Sequence, residues 1–188
     1  MPLAHIALGA NLPSSAGAPE ATLAAATERL ATLGRIAARS SLYSTAPVGF
    51  KDQPRFVNAV VALETGLSPR ELLQALLALE LEFGRERAAS PANGPRTLDL
   101  DILLYDDLVL GESGLEVPHS RLAERAFVLV PLSEIAPNLC DPRSGKTVAE
   151  LLDALTSSAG QDAVAKIACD GWSVQVLTPS PRDAEINL

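Results

Sequence analysis

A chain of 188 residues, 47% hydrophobic and 20% charged, is long enough to bury one substantial core and too short for two ordinary domains. Its formal net charge of −8 argues against a nucleic-acid binder, which normally presents a basic surface, but does not exclude a local phosphate site built from arginines. Cys140 and Cys169 have no metal-type spacing, Met1-Pro2-Leu3-Ala4-His5 lacks a basic leader, and no apolar run approaches the roughly 20 residues of a membrane span, so a soluble cytoplasmic protein is expected.

Strands and helices alternate along the chain. Leu3 to Leu8 predicts a short strand, ending in a Gly9-Ala10-Asn11 turn where backbone approaches a ligand. Pro19 to Leu33 predicts an Ala/Leu-rich helix opened by proline and stopped by Gly34. Arg35 to Ser44 reads as one strand with weak alternation, and Phe56 to Glu64 as a clearer one bounded by Pro54 and Gly66. Ser68-Pro69-Arg70-Glu71 supplies an N-cap, a first-position proline and a capping-box glutamate for a helix running to about Phe83. A loop from Gly84 to Pro95 leads to an acidic strand, then a short strand over Leu108 to Leu110 and a helix over Arg121 to Val130. Thr147-Val148-Ala149-Glu150 is a second capping box opening a C-terminal helix, and Ser173 to Leu177 is a further candidate strand. One domain is expected over residues 1–160, with 161–188 as an extension of unassigned role.

The acidic strand is the most informative element. In Gly94-Pro95-Arg96-Thr97-Leu98-Asp99-Leu100-Asp101-Ile102-Leu103-Leu104-Tyr105, strand alternation puts Asp99, Asp101, Leu103 and Tyr105 on one side. Leu98, Leu100, Ile102 and Leu104 take the other, against helices. Two anions on one face resist dehydration unless cations sit between them. A divalent metal carrying a substrate's phosphates is one answer, with oxygen-only ligands suiting Mg²⁺ and Arg96 close by. The plainer alternative is a strand end whose acids face water or pair with arginines.

Common chemistries fall away. There is no G-x-G-x-x-G turn and no G-x-S-x-G elbow, and the first glycine of a P-loop ending at Ser144-Gly145-Lys146-Thr147 would fall on Cys140. Only His5 and His119 are present, so a histidine-rich zinc site is ruled out. Three other stretches carry polar and aromatic groups: the proline-rich Tyr43 to Asn58 block, where Phe56 and Asn58 share a face; Glu80 with Arg85 and Arg87; and Val117-Pro118-His119 with Arg121, Arg125 and Phe127. Each has an ordinary structural reading, such as arginines at a helix C-terminus. Together with the acidic strand they describe a polyphosphate site beside an aromatic pocket.

Their order resembles the 6-hydroxymethyl-7,8-dihydropterin pyrophosphokinases of folate biosynthesis. The match spans about residues 3 to 140 and rests on Leu8-Gly9-Ala10-Asn11, the Tyr43 to Asn58 block, Gly84-Arg85, Gly94 to Asp101 and Val117-Pro118-His119. The resemblance implies an α+β, ferredoxin-like fold with helices on a mainly antiparallel sheet, and a small-molecule enzyme, expected to be a monomer, that turns ATP and the hydroxymethyl pterin into pterin diphosphate and AMP. It further implies two Mg²⁺ ions held by Asp99 and Asp101, and charge neutralisation by Arg85, Arg87 and Arg96. Nucleotide contacts are implied at His119, Arg121 and Arg125, with Glu80 and the backbone near Ile102 at the adenosine. Phe56 and Phe127 would sandwich the pterin, Asn58 would read its amide edge, and Thr45, Ala46 and Val48 would contribute mainly backbone contacts. The loops Pro47 to Pro54 and Gly84 to Pro95 would serve as lids. Asn93 stands where the family often has tryptophan, which speaks against a stacking lid there.

Two other readings share these residues. A palm-like nucleotidyl transferase or cyclase also mounts two metal-binding acids on a ferredoxin-like sheet, but has no need of the Phe56 and Asn58 block. A catalytically silent pterin- or nucleotide-binding module would not need both acids and Arg96.

Overall fold

The computed structural model describes residues 1–85, 94–158 and 164–176. In chain order its elements are β1 (Leu3–Ala10), α1 (Pro19–Leu30), β2 (Arg35–Arg39), β3 (Leu42–Thr45), β4 (Phe56–Glu64) and α2 (Pro69–Glu82). They continue with β5 (Asp99–Tyr105), β6 (Leu110–Glu112), β7 (Leu115–Val117), a 3₁₀ turn at Leu122–Glu124, α3 (Ala126–Ile135), α4 (Val148–Ser158) and β8 (Ala165–Ile167).

The main sheet is antiparallel throughout, in the order β5-β1-β4-β3-β8, with β2 lying on β4 beyond β3. The run β1-α1-β2/β3-β4-α2-β5 is the β-α-β-β-α-β pattern of a ferredoxin-like fold. Both faces are covered, so β4 reads as an almost continuous apolar run rather than an alternating one. Leu23, Ala26 and Leu30 of α1 and Leu72, Leu76 and Leu79 of α2 pack on Ile6, Leu8, Val61, Leu63 and Leu100. On the opposite face Val128, Leu129, Leu132 and Ile135 of α3 and Val148 and Leu151 of α4 pack on Val60, Ala62, Leu103 and Leu104. The result is α+β in three layers.

Both capping boxes form: Ser68 with Glu71 at α2, and Thr147 with Glu150 ahead of α4. Helix α1 stops at Leu30, short of the expected Leu33, and Gly34 then passes against the end of β4, where a Cβ would lie 2.1 Å from the Glu64 carbonyl oxygen. The expected single strand over Arg35 to Ser44 is two. At the break the Val60 N–H donates to the Ser40 hydroxyl at 3.0 Å, a side chain standing in for the ladder's carbonyl.

A second departure lies in β5. Asp99 and Asp101 face away from Leu98, Leu100 and Ile102 as alternation predicts, but the pairing with β1 slips between His5 and Ile6. His5 pairs with Leu104 and Ile6 with Ile102, so Leu103 is the bulged residue. Beyond it the faces exchange: Tyr105 joins the layer of Leu100 and Ile102, and Leu104 joins the other. The expected short strand sits at Leu110–Glu112 with an unforeseen partner at Leu115–Val117, and the helix expected from Arg121 is a 3₁₀ turn followed by α3. Near the C-terminus the strand is Ala165–Ile167, while of Ser173 to Leu177 only Gln175 forms a bridge, to Arg39, and Leu177 lies outside the described residues.

Candidate active site

On the α3/α4 face of the sheet, beside the start of α3, a cavity of about 260 Å³ opens over β5, β1 and β4. Its floor follows from the strand register. Gly9 of β1 lies between Asn58 of β4 and Asp99 of β5, and Ala7 lies opposite Asp101. These small residues keep the floor low. A Cβ at Gly9 would stand 2.9 Å from the Asn58 side-chain oxygen and 4.0 Å from the Asp99 Cβ. The expected turn at Gly9 is therefore strand, but its backbone does line the cavity.

At the β5 end the charges are arranged unequally. Both oxygens of Asp99 are engaged, Oδ1 by Arg85 and Oδ2 by Arg96. Arg85 also pairs with Glu80, which is 1% exposed and accepts the Leu100 N–H at 2.8 Å. Among the described residues the ion-pair partner of Asp101 is Arg125, at 3.8 Å and beyond hydrogen-bond reach, with the charges of His119 and Arg85 acting from farther off. Burial, then the neighbouring charge of Asp99, raises the Asp101 carboxyl above its ordinary range. His119 is held to β5 by its N–H on the Leu103 carbonyl at 2.8 Å, and its Nδ1 accepts the Arg121 N–H at 3.0 Å. That bond assigns any proton of the neutral ring to Nε2. Burial lowers the His119 pKa, with the Asp101 charge opposing. Arg85, Arg96, Arg121 and Arg125 thus surround two acids, a locally positive site in a chain of net charge −8.

At the β4 end the site turns aromatic and neutral. Phe56 and Phe127 line the cavity, the guanidinium of Arg96 lying 5.2 Å from the Phe56 ring centre and that of Arg125 5.6 Å from Phe127. Asn58 Nδ2 donates to the Thr45 hydroxyl at 2.7 Å, so the amide is fixed by a neighbouring strand. Asn11, 3% exposed, joins the two ends from below: its Oδ1 accepts the Arg96 N–H, and its Nδ2 donates to Gln53 Oε1 and the Pro54 carbonyl.

Among the described residues no three His, Cys, Asp or Glu side chains converge as a preformed metal cage. Asp99 and Asp101 nevertheless fit a hard cation. They offer oxygen donors two positions apart on one face, and Asp101 is a partly buried carboxylate that no described cation hydrogen-bonds. Substrate phosphates and water would complete such a coordination shell.

A family model for 7,8-dihydro-6-hydroxymethylpterin-pyrophosphokinase (HPPK) matches residues 5–137. The chain belongs to the HPPK family. A 2-amino-4-hydroxy-6-hydroxymethyldihydropteridine pyrophosphokinase of Pseudomonas aeruginosa is 49% identical over 150 residues, which is 80% of this chain and 90% of that protein. A namesake from Methylorubrum extorquens is 44% identical over 160 residues, 84% of this chain and 96% of its own. Among solved structures, Plasmodium falciparum HPPK-DHPS superposes with a TM-score of 0.63 at 14% identity, covering 83% of this chain and 45% of that one, a likeness in fold alone. Membership favours the pyrophosphokinase over the palm-like transferase. Among the described residues no helix is long and apolar enough to cross a membrane.

Most of the residues singled out by HPPK resemblance come together in the cavity: Thr45, Ala46, Val48, Phe56, Asn58, Arg85, Arg96, Asp99, Asp101, His119, Arg121, Arg125 and Phe127 all line it. Glu80 and Ile102 do not. Both are buried on the α1/α2 side of the sheet, Ile102 in the core and Glu80 engaged with Arg85 and Leu100. Arg87, Asn93 and most of the loop from Gly84 to Pro95 lie outside the described residues. Sequence reasoning missed the roles of Asn11 and Gln53. The one signal for Asn11 was its place directly after Gly9-Ala10.

Proposed function

We propose that this chain transfers a pyrophosphoryl group from ATP to the hydroxymethyl oxygen of 6-hydroxymethyl-7,8-dihydropterin, releasing AMP. What supports the reading is one cavity joining an aromatic, amide-bearing half to an arginine and carboxylate half. A nucleotide-only site has no use for the first. The pterin hydroxymethyl oxygen forms a bond to the β-phosphorus while the bond to the oxygen bridging the α-phosphorus breaks, and the hydroxyl proton passes to solvent. Such transfers depend on positioning and charge neutralisation rather than covalent help from the protein.

The chain's groups divide that work. Phe56 and Phe127 offer faces for a flat heterocycle, and Asn58, held by Thr45, offers mixed donor and acceptor edges. Arg85 and Arg96 exchange Asp99 for the oxygens of the transferring group, with Glu80 keeping Arg85 oriented. His119, Arg121 and Arg125 meet the remaining nucleotide phosphates. Asp99 and Asp101 would hold Mg²⁺, two ions in our reading, which when bound withdraws charge from the phosphate oxygens.

AMP formation from MgATP, measured with and without the hydroxymethyl dihydropterin, tests the reading. Pterin-dependent AMP is expected. Diphosphate release without pterin would favour a nucleotidyl transferase, and tight binding of both ligands without turnover a silent module.

A further inference from the structure

We propose that the C-terminal segment 164–176 is a working part of the pterin pocket, with Lys166 as a positioning residue and Val164 as wall. The inference rests on the function proposed above and extends it to residues outside the span matched by the family model, 5–137.

β8 pairs with β3, placing Leu42 opposite Ile167, Tyr43 opposite Lys166 and Ser44 opposite Ala165. The next residue of β3 is Thr45, whose hydroxyl receives Asn58 Nδ2. Strand alternation sends Ile167 to the α1/α2 layer, against which it packs, and Lys166 to the α3 side. There Lys166 Nζ donates to Glu134 of α3 at 2.8 Å. The same carboxylate accepts the Ser41 N–H at 2.6 Å, the Ser41 hydroxyl at 2.8 Å and the Tyr43 hydroxyl at 3.1 Å. Burial raises Glu134, but these donors outweigh it and hold its carboxyl below the ordinary range. Glu134 therefore ties α3, whose first turn carries Phe127, to β3, which carries Thr45, and Lys166 is the one full cation among those four bonds.

Val164, just ahead of β8, shares a side cavity of about 70 Å³ with Thr45, Ala46, Val48 and Phe127, four of the residues assigned to the pterin, and with Arg121 and Arg125. A second anchor fixes the far end. Trp172 Nε1 donates to the Ser40 carbonyl at 2.8 Å, the Arg39 guanidinium lies 4.7 Å from the Trp172 ring centre, and Arg39 and Gln175 exchange backbone hydrogen bonds. The segment is thus stapled at both ends to the strand pair that borders the pterin half of the site.

Steady-state kinetics of the full-length protein and three variants test this, with circular dichroism melts as the folding control. Lys166→Met and Val164→Phe are each expected to raise the pterin KM roughly tenfold, equivalent to losing one or two hydrogen bonds' worth of positioning, while the ATP KM and kcat stay within about twofold. Lys166→Arg, which keeps the ion pair, should restore the pterin KM. An unchanged pterin KM in folded Lys166→Met and Val164→Phe would overturn the inference, as would equal losses for pterin and ATP. Should Lys166→Met fail to fold, Val164→Phe decides alone. A wild-type protein that makes no AMP would sink the proposed function instead, a result separable from variants that match an active wild type.

Discussion

Asn11 and Arg96 hydrogen-bond reciprocally: the Asn11 N–H donates to the Arg96 carbonyl at 3.0 Å, and the Arg96 N–H donates to Asn11 Oδ1 at 2.8 Å. Because Asn11 Nδ2 also holds Gln53 and Pro54, one amide couples the arginine at the phosphate corner to the loop ahead of β4. Gln53 in turn donates to the Phe50 carbonyl at 2.6 Å, extending the tie into that loop. Asn11→Ala removes three side-chain bonds at a buried position and is expected to destabilise the protein by about 1–3 kcal/mol. Urea denaturation measures that loss, and kinetics should show kcat/KM falling for both substrates. A defect toward one substrate alone would contradict the coupling.

Asp99 and Asp101 should separate stability from activity. Asp99→Ala and Asp101→Ala are each expected to lower turnover by about 10³-fold or more, since several kcal/mol of charge stabilisation are lost at 1.36 kcal/mol per decade. The fold, followed by far-ultraviolet circular dichroism, should survive both. Asp99→Ala leaves Arg85 and Arg96 short of a partner and should melt lower. Asp101→Asn removes a carboxylate that burial and Asp99 both disfavour, and should melt no lower than wild type. Undiminished turnover in either alanine variant would remove the basis for the cation site.

Gly9→Ala tests the cavity floor. The added methyl meets the Asn58 side-chain oxygen at 2.9 Å, so the amide is displaced from the position in which Thr45 holds it. A rise of roughly tenfold or more in pterin KM is expected, on the scale of one displaced buried hydrogen bond. Titration of the protein with the pterin, read by ligand fluorescence, checks it. Wild-type affinity would mean that Asn58 does not contact this ligand.

His5 is expected to weaken the fold as the pH falls below neutrality. It is 2% exposed, neither ring nitrogen has a hydrogen-bond partner among the described residues, and burial, opposed by the Asp106 charge, lowers its pKa to about 4. The unfolded chain takes up a proton below about pH 6.5, whereas the folded protein does not until about pH 4. Stability should therefore fall as pH drops from 6.5 to 4, by about 3 kcal/mol from this one residue, whose own contribution levels off below. His5→Leu should flatten that portion of the curve, as urea midpoints at pH 7, 5.5 and 4.5 will show. Parallel curves for variant and wild type would assign the acid sensitivity elsewhere.

The parts legible in the sequence were those specified locally. β4 occupies its expected residues because Pro54 and Gly66 bound an apolar run, and α2 begins where its capping box places it. The acids of β5 face together because alternation holds as far as Ile102. The break at Ser40 and Ser41 depends on a hydroxyl meeting a strand twenty residues away, which no local pattern encodes. β8 is three residues long, and its pairing comes from an edge that only the folded sheet presents. In the site, the resemblance carried the lining residues, whereas the work of Asn11 and Gln53 requires three distant segments to meet. Glu80 was linked to the adenosine by the resemblance alone; the fold buries its carboxylate against Arg85 and the Leu100 N–H, a placement that depends on α2 meeting β5.

The bulge at Leu103 has a use beyond irregularity. Its carbonyl, turned off the β1 ladder, accepts the backbone N–H of His119. The same extra residue resets the phase of β5, so the acidic stretch and the greasy end of the strand point where each is needed. Excising Leu103 would restore a simple two-residue beat and strip the histidine of its mooring in one stroke. One inserted amino acid thus sets the facing of the strand's far end and supplies the carbonyl on which His119 is anchored.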